Sequence, residues 1–181
     1  MLRFNSDHKF KIMQIADTQE IPAVSPDTLS LINNALDREK PDLVIFTGDQ
    51  IKGYSKKFKK DPAIIESTID ILVEPIAKRN IPFMVTYGNH DAQCGVDNRG
   101  QYKFYAKYDN FISGDLRNAD DVGTADIQIY SSTEDKPVFE LYIIDSHGKA
   151  KDGAGYAPVD KKQIEWYISR REQLKAESGD Y

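Results

Sequence analysis

An α/β fold with parallel strands is what this sequence predicts, and three observations carry the prediction. Short apolar runs alternate with amphipathic helical stripes in strand, helix, strand order between Phe10 and Val85. Both helices in that stretch begin with a capping side chain followed by proline, Ser25 with Pro26 and Asp61 with Pro62. Each apolar run closes on polar residues, with Asp17, Asp49 and Asn89 at the three strand ends. Consecutive units of this kind join parallel strands through right-handed crossovers, so the carboxyl ends of all three strands share one edge of the sheet. In open sheets of that type the ligand crevice lies just outside this edge.

The elements follow in order. Phe10, Ile12, Met13, Ile15 and Ala16 make a mostly apolar strand that ends at Asp17, with Thr18, Gln19 and Glu20 after it. From Ser25 and Pro26 a helix carries Leu29, Ile32, Ala35 and Leu36 on one face and stops near Pro41. Leu43, Val44, Ile45 and Phe46 form the next strand, closed by Thr47, Gly48 and Asp49. The second helix starts at Asp61 and Pro62 and presents Ile64, Ile65, Ile69, Leu72, Val73 and Ile76; Pro75 is expected to kink or shorten its last turn. Ile81, Pro82, Phe83, Met84 and Val85 are a continuous apolar run, the pattern of a strand buried on both faces. It leads into Tyr87, Gly88, Asn89, His90 and Asp91, with Gly88 as the residue that lets the backbone turn.

After Gly95 the pattern changes. Residues 101–111 read as an aromatic-rich helix with Tyr102, Phe104, Tyr105, Tyr108 and Phe111, packing against the sheet rather than stacking bases, because a stacking platform also needs a basic groove. Residues 118–124 read as loop. Ile127 and Ile129 begin a strand, the stretch from Ser131 to Pro137 turns, and Val138, Phe139, Leu141, Tyr142, Ile143 and Ile144 return as a hairpin. Asp145, Ser146, His147 and Gly148 end it, a loop with Gly153 and Gly155 follows, and Asp160 caps a last helix bearing Ile164, Trp166, Tyr167, Ile168 and Leu174.

Composition bounds the function. A chain of 181 residues with 40% hydrophobic content suits one domain with a real core. Acidic residues outnumber basic ones, 29 to 24, for a net charge of −5, which disfavours a chain-wide surface for nucleic acid or anionic membrane. The single cysteine, Cys94, excludes an internal disulfide framework, suits a reducing compartment and reads as a loop thiol. The amino terminus has no signal-peptide core, and no apolar run approaches the roughly 20 residues of a membrane helix, so a soluble cytoplasmic protein is expected.

Asp17, Asp49 and Asn89 converging on one crevice would present hard oxygen donors, which suit magnesium, manganese or iron better than an all-sulfur zinc site. Paired cations of this kind activate water and steady the entering and leaving oxygens of a phosphoester. His90 stands beside them as a proton carrier for the leaving group, and Asp91 is expected to orient its ring. Aspartates at strand ends also serve as plain caps and turns, a reading that three successive strand ends weaken.

Asp17, then Gly48 and Asp49, then Gly88, Asn89, His90 and Asp91 resemble the first three motifs of the calcineurin-like metallophosphoesterases. Within that family they are similar to the branch related to purple acid phosphatase 29 and the yeast dosage-dependent cell-cycle regulator phosphatase, as are Gly155, Tyr156, Gln163 and Trp166. The resemblance implies a four-layer α/β/β/α sandwich, incomplete in this chain, with residues 1–181 as the amino-terminal portion of a single metallophosphoesterase domain. It implies a binuclear site for divalent ions (Mn, Fe, Mg or Zn), with Asp49 bridging, Asp17 on the first metal, Asn89 on the second and His90 as the catalytic histidine.

Three departures qualify it. Gln19 stands where the family usually has a histidine ligand, and its amide oxygen would bind metal more weakly. Lys52 occupies the place of the tyrosinate ligand of purple acid phosphatases, so their coloured iron centre is not expected. The three histidines of the family's last two motifs have no match; besides His90 the chain holds His8 and His147, and His147 reads as a loop histidine at a strand end. One ion held loosely, or none, is therefore expected, together with an exposed apolar edge on the second sheet that a homodimer or strand exchange would cover. Lys56, Lys57, Lys59 and Lys60 around Phe58 either draw a phosphorylated substrate to the crevice or form a solvated loop. Two functions stay open: a metal-dependent phosphoesterase acting on a phosphomonoester or a diester, and a catalytically silent scaffold or regulatory module. A nucleotide-binding domain ranks below both, since no Gly-rich phosphate fingerprint follows the first strand.

Overall fold

Side-chain alternation along the apolar strands decides the architecture, because each of them serves two cores at once. The structure, a computed structural model, describes the chain apart from residues 114–120, 151, 154 and 179–181. In chain order the elements are β1 (Leu2–Arg3), β2 (Ile12–Ile15), α1 (Pro26–Glu39), β3 (Leu43–Thr47), α2 (Pro62–Ala77), β4 (Phe83–Thr86), α3 (Asn98–Ala106), β5 (Ala125–Tyr130), β6 (Pro137–Ile143) and α4 (Lys161–Ser178), with short 3-10 turns between some of them. The first sheet has the order β2-β3-β4, all parallel, with Val44 opposite Phe83 and Phe46 opposite Val85. Val44, Phe46, Phe83 and Val85 pack under α1, α2 and α3, whereas Leu43, Ile45 and Met84 point the other way, onto Leu2, Ala125, Ile129 and Ile143 of the second sheet. That sheet has the order β1-β5-β6, with β1 parallel and β6 antiparallel to β5, and α4 covers its outer side through Trp166 and Tyr167 against Tyr142. Helices, sheet, sheet and helix give the four expected layers.

The caps act as their sequences dictate. Ser25 and Asp61 accept the backbone N–H groups of Asp27 and Ala63, each with proline at the first helical position. Asp160 accepts the Gln163 N–H at 2.9 Å while the Gln163 side chain accepts the Asp160 N–H at 3.0 Å, a reciprocal capping box at the start of α4. Among the described residues no helix is long and apolar enough to cross a membrane.

Several elements differ from the sequence reading. The two-residue β1 carries no periodic signal; it is held by pairing with β5 and by Arg3, whose guanidinium donates to the carbonyls of Ser131 and Glu134. α2 runs two residues beyond Pro75, whose carbonyl accepts from Arg79 at 2.7 Å. α3 starts earlier than expected, at the Asp97 cap, and ends at Ala106; beyond it Phe111 pairs with Phe83 along the open edge of β4. Of the 118–124 loop, residues 118–120 lie outside the described residues, and Asp121 to Thr124 form a turn closed by the Thr124 hydroxyl on Asp121. Cys94 is buried, and burial pushes its thiol up, away from nucleophilic use.

α4 departs furthest from its apolar pattern. It buries Gln163 and Leu174 but leaves Ile164 and Ile168 each 47% exposed, and β6, the edge strand, shows Val138 and Phe139 to solvent. Charge holds the helix down: Arg170 Nε meets Asp126 Oδ2 at 2.8 Å, and its Nη2 lies 4.0 Å from Glu140, all three side chains being at most 10% exposed. Burial, then the Asp126 carboxyl beside it, pushes Glu140 up to about 8. A carboxyl raised by folding takes up a proton that the unfolded chain lacks, so stability falls as pH rises from the ordinary carboxylate range through about 8. Glu140→Gln is expected to flatten that slope and to be the more stable chain at alkaline pH, as read by urea unfolding at about pH 6 and about pH 9.

Candidate metal centre

Three turns leave the first sheet at its carboxyl edge, and backbone bonds lace them together. After β2 the Asp17 N–H donates to the Gly48 carbonyl at 3.1 Å, and the Gln19 N–H to the Asp49 carbonyl at 2.9 Å. After β3, Gly48 lies so close to the turn after β4 that a Cβ on it would stand 2.5 Å from the Gly88 nitrogen. Gly88 in turn abuts Asp49, with a built Cβ only 2.6 Å from Asp49 Cγ. Glycine is needed at 88 for this approach and not for a positive φ; the residue at φ 106° is Gly48. Asp17, Gln19 and Asp49 themselves hold φ of 53°, 44° and 53°, a concentration of costly backbone at one edge of the fold. Strain of this kind persists where the surroundings over-determine it, and it collects at functional sites.

Asp49 is 8% exposed, and its Oδ1 accepts the His90 N–H at 2.8 Å, which fixes Asn89 beside a residue that touches Asp49. Asn89 and Gln19 are half-buried and Asp17 is exposed at the mouth. The four residues expected to bind metal thus stand on adjoining turns. Among the described residues no group of three or more histidines, cysteines or carboxylates is close enough to hold a metal ion. Two carboxylates and two amide oxygens on strained turns fit a hard divalent cation, and they do not make a closed nitrogen or sulfur site of the zinc type.

His90 stands on the third turn, its N–H on Asp49. Its Nδ1 lies 3.0 Å from Gln93 Oε1, so with the amide oxygen turned to the ring Nδ1 carries the proton and Nε2 stays available. The Tyr54 ring packs on it at 4.7 Å between centroids, and Lys52 places its ammonium 5.2 Å from the Tyr54 ring. Asp91 does not orient this imidazole, contrary to expectation. Its carboxylate, on a residue 1% exposed, accepts three backbone N–H groups: Asp49 and Gly88 at 2.8 Å and Ile51 at 3.2 Å. Burial pushes its pKa up to about 6, against the pull of those three donors. Asp91 is the clasp that ties the second turn to the third. Neither Gln93 nor Tyr54 has a signal in the spacing of motifs; each is placed by the turns that follow the strand ends.

Phe58 is buried in the core while Lys56, Lys57, Lys59 and Lys60 are exposed around it, so the basic stretch is an anchored loop with its charges in solvent. His8 lies on the second sheet's side of the molecule, 3.1 Å from the Ser132 hydroxyl of the hairpin turn. His147 follows β6 on a loop that reaches the Asn89 turn.

Comparison with known proteins agrees with this geometry. The calcineurin-like phosphoesterase profile matches residues 10–177. "Probable inactive purple acid phosphatase 14" of Arabidopsis thaliana is 28% identical over 97% of this chain and 50% of its own length. "Phosphatase DCR2" of Saccharomyces cerevisiae is 33% identical over 91% of this chain and 32% of its own, and "Probable inactive purple acid phosphatase 29" of Arabidopsis thaliana is 26% identical over 97% and 51%. The chain therefore spans about half, or less, of the length of these relatives. With the family profile covering nearly all of it and the three motif turns laced together at one edge of the sheet, the chain belongs to the calcineurin-like phosphoesterases.

Proposed function

We propose that this chain carries the phosphoester-hydrolysing site of a metal-dependent phosphatase, with a phosphomonoester as the favoured substrate. The single observation that supports it best is the meeting of Asp17, Asp49, Asn89 and His90 on three laced turns, two of them at strained φ. Calcineurin-like phosphoesterases generally depend on divalent metals. Asp17, Asp49, Asn89 and Gln19 would hold them here, and cations bound there supply the polarisation that makes water a nucleophile and offsets phosphoryl charge. In its doubly protonated form, with Nδ1–H held by Gln93, His90 would give the Nε2 proton to the leaving oxygen, and Gln93 and Tyr54 keep its ring in place. The buried Asp91 holds the second and third turns in register, so that Asp49 and Asn89 face the same space. A cytoplasmic setting, without nucleic acid or membrane as partner, belongs to the same proposal and is supported by the acidic balance and the single cysteine.

A silent scaffold is the second reading, and specific observations favour it: Gln19 replaces a histidine, no third strong ligand joins the two aspartates among the described residues, and two of the similar plant proteins are named as inactive. Manganese-stimulated hydrolysis of a chromogenic aryl phosphate, lost in Asp49→Asn, decides between them. The enzyme reading expects a metal-dependent rate that this variant lowers by at least about a hundredfold; equal rates in both proteins would leave the scaffold. Elemental analysis after dialysis is expected to find less than one retained ion per chain. Two tightly held ions would contradict a donor set of two carboxylates and two amides.

A further inference from the structure

We infer that His147 is a further substrate-contacting residue of this site, reaching the phosphoryl oxygens from the loop after β6; the inference rests on the phosphatase reading. Three independent features support it. The first is contact between turns. Gly148 lies in ordinary van der Waals range of the third motif turn: a Cβ on it would stand 3.8 Å from Asn89 Cα and 3.9 Å from the Asn89 carbonyl. The loop of His147 therefore meets the Asn89 turn although its strand belongs to the other sheet.

The second is the anchored backbone of the loop. Among the described residues, nine other than glycine have positive φ. Lys40 and Lys59 close helical turns at their C-caps, while Asp17, Gln19 and Asp49 form the crevice. His147, at φ 66°, closes no helix; histidine adopts this conformation more readily than most residues, as His8 does at φ 56°, so the anchoring of the backbone carries more weight than its φ. The start of the loop is tied down by hydrogen bonds. Asp145 Oδ1 accepts the His147 N–H at 2.8 Å, and Asp145 is itself buried and fixed by Asn98 at 3.0 Å and by the Thr124 hydroxyl on its N–H at 3.0 Å.

The third is an orienting carboxylate. His147 Nε2 lies 3.4 Å from Asp160 Oδ2, and both side chains are partly open to solvent. Asp160 is immobilised by the capping box with Gln163, whose N–H keeps its carboxyl below the usual range and so ionised. With Asp160 behind Nε2, Nδ1 is the ring nitrogen left to meet a phosphate oxygen. The neighbouring lysines do not take that place: Lys52 is turned onto Tyr54, and the 56–60 lysines stand in solvent.

The chain has three histidines, so their ring signals are separable by nuclear magnetic resonance, and inorganic phosphate with magnesium is a sufficient probe. Titration of the intact chain is expected to shift the His147 ring signals saturably and to leave His8 unmoved. His147→Gln is expected to weaken phosphate binding about tenfold and to raise KM about tenfold with kcat changed less, as for the loss of one charge-assisted contact. His147→Lys is expected to restore most of the affinity. A phosphate response at His90 with none at His147 would overturn the inference and leave the phosphatase reading standing. Silence at both rings would overturn both. A His147 response of full size in Asp49→Asn would place the anion outside the crevice and would also overturn the assignment.

Discussion

Asp91→Ala is expected to cost at least about 3 kcal/mol of stability and to abolish divalent-metal binding, although Asp91 is not itself a ligand. Its carboxylate serves three backbone amides at the strand-end turns. Each buried N–H left unsatisfied costs about 1–3 kcal/mol, and a domain of this size commands only about 5–15 kcal/mol in total. The loss falls where it matters: the Asp49 and Ile51 amides belong to the second turn and the Gly88 amide to the third, so the two turns part and Asp49 no longer faces Asn89. Asp91→Asn keeps one acceptor but points an amide group at donors, and an intermediate loss is expected. Urea unfolding paired with calorimetric metal titration reads both effects. If Asp91 instead acted by orienting the His90 ring, the variants would keep their unfolding midpoint and change only the pH dependence of the rate; that outcome would rule out its role as a clasp.

Gly88→Ala is the second large effect, expected at about 2–4 kcal/mol with a fall in Tm of about 10 °C. A Cβ there would stand 2.5 Å from the Asp49 nitrogen and 2.6 Å from Asp49 Cγ, so neither backbone nor carboxylate can yield without opening the crevice. Gly48→Ala is expected to match it, because the new carbon meets the Gly88 backbone and the residue sits at φ 106° besides. Gly153→Ala is the control. Its φ is 74°, yet nothing lies within 4 Å of a Cβ, so only the conformational cost of about 1 kcal/mol is expected. Thermal unfolding of the three variants separates close approach from positive φ as the reason for glycine.

Local chemistry is legible wherever a residue acts on its own neighbours. Ser25 and Asp61 announce their helices because a capping side chain needs only the amides two residues on. The apolar runs at Leu43–Thr47 and Phe83–Thr86 announce parallel strands buried on both faces. Parallel order alone then carries Asp17, Asp49 and Asn89 to one edge, since crossover handedness leaves no other arrangement. The sequence by itself thus determined the strands of the parallel sheet, their direction and the polar residues that close them. What it left undecided depends on partners far along the chain. The role of Asp91 is hidden because a carboxylate beside a histidine looks like its orienter, and only packing shows that its oxygens point back at Asp49 and Ile51. The face that α4 buries is set by Gln163 and by Arg170 on Asp126, which outweigh its apolar stripe. The loop of His147 meets the Asn89 turn through contact between two sheets that no local spacing records. Hydrophobic alternation and backbone caps are short-range physics, readable in a string of letters. The satisfaction of buried polar groups is a long-range condition, and tertiary structure alone decides it.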